Sequence, residues 1–317
     1  MINFKIESHI RTFIFTRENW LQVQYWAFWI FCVGFLGAKS PVVFYLAFSV
    51  WTFSSCWGII AFGFNAFFES FSRKKVLIFF LIQSLGWIYA YYQEYFGLGF
   101  NFYDTGILSN PVSNFIAGHG FFNSELQIKE LSDHFCPNLL LLSPFYYLWN
   151  SPIILILAKF SAYLFSFLTL YRFCRFMKVS EYKTSFVLFL WTVNVGVNNY
   201  MDFEFQPSIL IVPFVFLLFE LVNRQKFIQF CLVGIFIFGF KENAGLVLAS
   251  IGVYRILYFK EWKTGTLLIG TSFVLTMLII KVLIPYFGSG QSIHIGMINP
   301  FCCPLEKVKF TALQDLE

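Results

Sequence analysis

Four short polar segments carry the side chains with chemistry to offer, and each is flanked by long apolar runs. Tyr103-Asp104-Thr105-Gly106 sets a carboxylate beside a glycine that permits a tight turn. Asp104 could take a proton from an incoming nucleophile or hold a cation, or it could simply cap the next helix. In Asp133-His134-Phe135-Cys136-Pro137 the proline biases the residues before it toward extended backbone. Asp133 and His134 could then line one cleft as a metal site or an acid–base pair. The plainer alternative is an N-cap aspartate with its histidine among the headgroups. Asp202 and Glu204, at i and i+2 before Phe205-Gln206-Pro207, would share one face of an extended segment. Two such carboxylates attract Mg²⁺ or Mn²⁺, or they form a solvated turn. Lys241-Glu242-Asn243 interrupts two apolar helices. Ionisable groups at membrane depth are costly and become functional candidates for that reason. Lys241 could bind a phosphate oxygen with Glu242 as counter-ion, unless the pair is a hairpin tip that reaches water.

The elements that must position these groups are membrane helices. The chain has 317 residues, 58% hydrophobic and 12% charged, about half the charged share of a soluble globular domain. With that composition the net charge of +5 reads as topology and not as affinity for nucleic acid. Apolar runs at 20–38, 41–64, 76–97, 153–171, 184–200, 208–222, 227–240, 244–259 and 264–285 predict about nine spans in an all-α polytopic protein. Residues 1–19, with Ile2, Ile6, Ile10 and Phe13 at near-helical spacing, suit a helix lying on the membrane surface. Run 227–240 covers only about 21 Å, so the tip after it should sit below the surface. The stretch 138–149, broken by Pro144, is shorter and is expected to lie along the interface.

Basic residues fix the orientation. Arg73-Lys74-Lys75, the group Arg172, Arg175 and Lys178, and the group Arg224, Lys226, Arg255 and Lys260 all fall on the side of the N-terminus, which the positive-inside rule makes cytoplasmic. An integral plasma (inner) membrane location follows as the expectation. The long segment from Gly97 to Asn138, the 201–207 segment and the 241 tip then all face outward. That long segment is polar enough to be a loop and aromatic enough to be ordered. Lys159 and Lys281, near the outer ends of their spans, are expected to snorkel. His119 and His294 read as surface residues, and Asn194, Asn198 and Asn199 as ligands for a polar substrate or for a neighbouring helix. Of the seven cysteines, Cys136, Cys302 and Cys303 fall in loops, where a disulfide could form.

Five motifs in order carry a resemblance: Tyr103-Asp104-Thr105-Gly106-Ile107, Asp133-His134-Phe135-Cys136-Pro137, Phe205-Gln206-Pro207-Ser208, Lys241-Glu242-Asn243 and Lys281-Val282-Leu283-Ile284-Pro285. Over roughly 76–290 the chain resembles the uncharacterised predicted-membrane-protein family placed near the GT-C glycosyltransferases. It departs from the family pattern at Gln206 and Ser208, where Phe-His-Pro-Glu is usual, and at Asn243, where an aspartate is usual. The resemblance implies a GT-C-like core over 76–317, with 1–75 as an added surface helix and two spans. It also implies hexosyl transfer from a polyprenyl-phosphate sugar on the outer face, with membrane lipid and lipid-linked sugar as partners. Asp104, Asp133 and His134 would then be the catalytic groups, and Lys241, Glu242 and Gln206 the substrate-binding ones. Asp202 and Glu204 would hold a Mg or Mn ion. The rival reading is a transporter or lipid-handling protein without catalysis, or a degenerate family member.

Overall fold

The computed structural model describes residues 16–37, 41–96 and 103–288. The chain divides into two compact units that interleave along the sequence: Met1–Asn101 with Phe167–Phe203, and Phe102–Ser166 with Glu204–Glu317. Residues 1–15, and with them most of the proposed surface helix, as well as His294, Cys302 and Cys303, lie outside the described residues.

The first unit holds helices α1 (Arg17–Gly37), α2 (Pro41–Glu69) and α3 (Arg73–Phe96), the end of α6 (Ile153–Phe176), α7 (Glu181–Thr192) and α8 (Val195–Asp202). Trp20, Gln24, Ala27, Phe28 and Phe31 of α1 are buried, a spacing that keeps them on one helical face. Val23, Trp26 and Ile30 on the other face are apolar and exposed. Phe28 and Phe71 meet Phe189 of α7 with ring centroids 5.1 and 5.4 Å apart, so aromatic contacts fill this interior. Polar side chains stitch the helices: Gln83 donates to Thr192 O and to Asn198 Oδ1, and the Tyr91 hydroxyl donates to Met201 O.

The expected span 184–200 is two short helices. Asn194 stops α7 and restarts the chain as the N-cap of α8, its side chain accepting from the Val197 N–H at 3.1 Å. Asn194 and Asn198 thus serve helix ends and helix contacts.

The second unit holds α4 (Tyr103–Ile116), a minimal hairpin of β1 (Phe122–Asn123) and β2 (Ile128–Lys129), and 3-10 turns at Glu130–Ser132 and Pro137–Leu142. It continues with α5 (Ser143–Leu148), the start of α6, and a 3-10 turn Pro207–Ile211 leading into α9 (Val212–Asn223). Helices α10 (Phe227–Phe238), α11 (Ala244–Tyr254), α12 (Trp262–Leu278) and α13 (Ile284–Phe287) complete it. One core gathers Leu108, Val112, Leu139, Tyr146, Leu155 and Phe205; the other gathers Leu218, Ile237, Leu248, Ile251 and Ile284. Helices α11 and α12 touch backbone to backbone: a Cβ on Gly252 would stand 2.8 Å from Gly265 O, and one on Gly265 would stand 2.7 Å from Gly252 O. Such small-residue contacts are how helices associate where water offers no hydrophobic push.

Among the described residues, Arg73–Gln93, Ile153–Phe176 and Trp262–Phe287 are long and apolar enough to cross a membrane. A fourth span results if Phe48–Trp57 and Ile59–Glu69, which meet at 110°, form one broken helix. Pro207–Asn223, Phe227–Phe238 and Ala244–Phe259 are apolar but shorter. The molecule is therefore a helical membrane protein. Lys159, expected to snorkel, is instead buried inside α6 at 2% exposure, while Lys281 is exposed.

Candidate functional site

The second unit brings three of the chemistry-bearing segments together, and backbone accounting explains how. Helix α10 ends at Phe238, and the last carbonyls of a helix have no partner within it. Asn138 supplies two: its N–H donates to Gly239 O at 2.7 Å and its Nδ2 to Phe236 O at 2.6 Å. The approach is so close that a Cβ on Gly239 would lie 2.5 Å from the Asn138 side chain. This docks the 133–138 segment against the tip that follows α10, where Lys241 and Glu242 project. Glu242 then grips the segment with both oxygens: Oε1 lies 3.2 Å from His134 Nδ1, and Oε2 accepts from the Phe135 N–H at 3.3 Å. Lys241 Nζ reaches the other way and donates to Gln206 Oε1 at 3.1 Å.

The 204–206 segment is anchored in turn to the start of α4. The first N–H groups of a helix are also orphans, and an anion is favoured there. Glu204 Oε2 accepts from the Thr105 N–H at 2.8 Å, and Thr105 Oγ1 accepts from the Phe205 N–H at 3.3 Å. At its far end α4 stops in a Schellman closure, with His119 N–H on Asn114 O and Gly118 N–H on Phe115 O. Gly118 takes the positive φ of +84° that this closure needs. The hairpin that follows delivers Asn123 and Glu130. Asn123 Nδ2 donates to Glu130 Oε2 at 3.0 Å and to Ile107 O of α4 at 3.1 Å. Glu130 O accepts from the Asp133 and His134 N–H groups. Hydrogen bonds and backbone connections together thus form a circuit, from α4 through Glu204, Gln206, Lys241, Glu242, His134, Glu130 and Asn123 back to α4, with Glu204–Gln206 and Lys241–Glu242 joined through the chain and the other links made by hydrogen bonds. Helix α13, which carries Ile284-Pro285 of the fifth motif, packs against the Glu130–Ser132 turn.

Electrostatics sort these groups. Burial pushes the His134 imidazole down, but the hydrogen bond and charge of Glu242 and the charge of Asp133 outweigh it, so its pKa lies above the ordinary value. Burial pushes Glu242 up, and the same His134 partnership with the Lys241 charge leaves it below the usual carboxylate value. The pair therefore favours imidazolium and carboxylate, with the Lys241 ammonium adjacent. Glu130 is the opposite case. It is 1% exposed, and burial raises its pKa despite the Asn123 hydrogen bond. The Cys136 thiol lies 3.8 Å from Glu130 and is raised well above its ordinary value by burial and the surrounding carboxylates. It is a free, buried cysteine and not half of a disulfide among the described residues.

Each expected site residue can now be placed. His134, Glu242, Lys241 and Gln206 converge, and Asp133 sits at the end of the Glu130–Ser132 turn beside His134. Asp104 stands in the first turn of α4, one residue before Thr105, within a helix and not in a loop. Asp202 closes α8 in the other unit and is exposed, whereas Glu204 is engaged with the α4 N-terminus. No group of three or more His, Cys, Asp or Glu side chains suited to a metal ion occurs among the described residues. Sequence reasoning missed Asn123, Glu130 and Asn138. A loop carboxylate reads as solvated and a loop asparagine as a turn former. Only the fold reveals that Glu130 is enclosed and that Asn138 completes another helix.

A family model described as predicted membrane protein (DUF2079) matches residues 94–299. That range takes in every segment of the circuit and leaves the first three helices almost wholly outside. No curated protein and no solved structure matches the chain. The match spans more than half of the sequence, and the chain belongs to the DUF2079 family of predicted membrane proteins.

Proposed function

We propose that the protein is a GT-C-like membrane glycosyltransferase that moves a hexose from a polyprenyl-phosphate donor to an acceptor hydroxyl on the outer face of the plasma membrane. One observation carries the reading: Lys241–Gln206 at 3.1 Å and Glu242–His134 at 3.2 Å draw three sequence-distant motifs to one point. Two cationic side chains at the outward end of short apolar helices suit a phosphate that arrives on a lipid. The ammonium has three donors, of which Gln206 takes one. In the transfer the acceptor oxygen bonds to the sugar's anomeric carbon as the bond from that carbon to the phosphate oxygen breaks. The electron pair leaves with the polyprenyl phosphate. Lys241 and the His134 imidazolium stabilise the charge that builds there, and Asp104 takes the acceptor's proton. Asp133 orients the His134 segment. Gln206 stands where the family usually carries histidine and supplies the acceptor that steers Lys241. The nine-span, GT-C-like arrangement and the cytoplasmic N-terminus belong to this proposal.

Purified protein is given a polyprenyl-phosphate hexose and a hydroxyl acceptor, with and without divalent cation. Sugar transfer that is lost in Asp104→Asn and in Lys241→Ala supports the proposal. Undiminished transfer in Asp104→Asn overturns the base assignment. Binding of the donor without turnover points to the lipid-handling alternative.

A further inference from the structure

The first unit carries a second charged surface, remote in sequence from the circuit. Its helices turn at one end through two short links: Ser70–Ser72 between α2 and α3, and 177–180 between α6 and α7. Side-chain contacts show that both links, with the start of α1, share that end. The Lys183 ammonium lies 5.5 Å from the Phe68 ring centroid, Arg73 lies 5.2 Å from that of Tyr171, and Phe71 meets Phe186 at 4.8 Å. Arg17 pairs with Glu69 across the same end. Arg73, Lys74 and Lys75 open α3, Arg175 lies in the last turn of α6, and Lys178 lies in the link that follows it. Acidic side chains there are few: Glu69, which is paired, and Glu18 and Glu181 at helix starts. Lys74, Arg175 and Lys178 are exposed.

We propose that this end of the unit is a binding surface for the headgroups of anionic phospholipids. Three features favour a lipid surface over a soluble anion. The charges crown apolar helices, among them the candidate spans Arg73–Gln93 and Ile153–Phe176. Aromatic rings hold Arg73 and Lys183 in place through cation–π contact, which lowers the entropy cost of presenting them. The cations are spread along several helix ends and not folded into one pocket, which suits many headgroups in a plane.

Each basic side chain near an anionic membrane surface raises affinity about five-fold, so removing three should weaken binding on the order of 100-fold. The test compares the full chain with the triple variant Lys74→Gln, Arg175→Gln, Lys178→Gln in detergent, titrating phosphatidylglycerol, phosphatidylcholine or inorganic phosphate and reading the melting temperature. The expected result is stabilisation by phosphatidylglycerol alone, loss of most of it in the triple variant, and loss in high salt. Equal stabilisation by phosphatidylcholine overturns the proposal, as does full stabilisation by inorganic phosphate or an unchanged response in the variant. If the triple variant does not fold, Lys74→Gln with Lys178→Gln should show a roughly 25-fold weakening instead. The transfer reaction is not needed for this readout, so the two proposals fail separately.

Discussion

Replacing Glu242 by glutamine removes one charge and keeps the shape of the side chain. Its two contacts, 3.2 Å to His134 Nδ1 and 3.3 Å to the Phe135 N–H, are at the long end of the hydrogen-bond range. The side chains of His134 and Glu242 are 27% and 17% exposed, so solvent screens the pair only in part. A charged hydrogen bond contributes roughly 1.5–3 kcal/mol, and the long geometry places this one near the lower end, about 1.5 kcal/mol. For a chain of this size that is a fall in melting temperature of about 2–4 °C. The pH dependence is the sharper signature. The His134 pKa is raised in the folded state, so its contribution is full below the unfolded value of about 6.5 and fades as pH rises through the folded one. The Glu242 pKa is lowered, so its contribution is full above about 4.5 and fades as pH falls through its folded value. The difference between wild type and Glu242→Gln should therefore be greatest between about pH 4.5 and 6.5 and shrink on either side. In the variant, burial and the Lys241 charge still push His134 down, opposed by Asp133, and its pKa should drop. Thermal melts across pH 4 to 9, with histidine NMR titration, measure both effects. A stability difference that is flat with pH, or a His134 resonance that titrates as in wild type, refutes the pairing.

Two further outcomes follow from local geometry. Gly239→Ala forces a methyl into the Asn138 side chain, which a Cβ would meet at 2.5 Å. An overpacking loss of about 1–3 kcal/mol is expected in melts, partly relieved when Asn138→Ala is added. Gln225 holds φ +57° just past α9, where the Lys226 N–H bonds Leu221 O and the Gln225 N–H bonds Val222 O, the position glycine normally takes in a Schellman closure. Gln225→Gly should raise stability by about 0.5–1 kcal/mol, and a fall in melting temperature would refute the argument.

The sequence marked the Lys241-Glu242 tip because charge between two apolar runs has few bland explanations, and it marked His134 through its carboxylate neighbour. It could not say that these two meet, because the contact crosses 108 positions. Helix α4 was hidden for a local reason. Gly106, Asn110 and Asn114 are poor helix formers and Pro111 sits inside it, so propensity spelled a loop. Tertiary contacts override that: Val112 is fully buried, and Asn114 Nδ2 bonds Phe122 O. The run 184–200 failed in the opposite direction. Its hydropathy suggested one continuous span, while the helix-capping asparagine inside it, Asn194, was the legible signal for a break. Lys159 was misjudged because snorkelling is inferred from distance to a helix end, and burial depends on which neighbours surround that end.

The circuit of hydrogen bonds and backbone links through α4, Glu204, Gln206, Lys241, Glu242, His134, Glu130 and Asn123 has no loose end. Opening one link relaxes the constraint on all the others, so the cost of opening a second is smaller than it would be alone. The loss in the double variant Gln206→Ala, Glu242→Gln should then be smaller than the sum of the two single losses, although the two side chains do not bond each other. A ligand anion that drew Lys241 away from Gln206 would act as just such an opening. Its binding would be felt at the first turn of α4, where Asp104 stands, before any atom of the ligand arrived there.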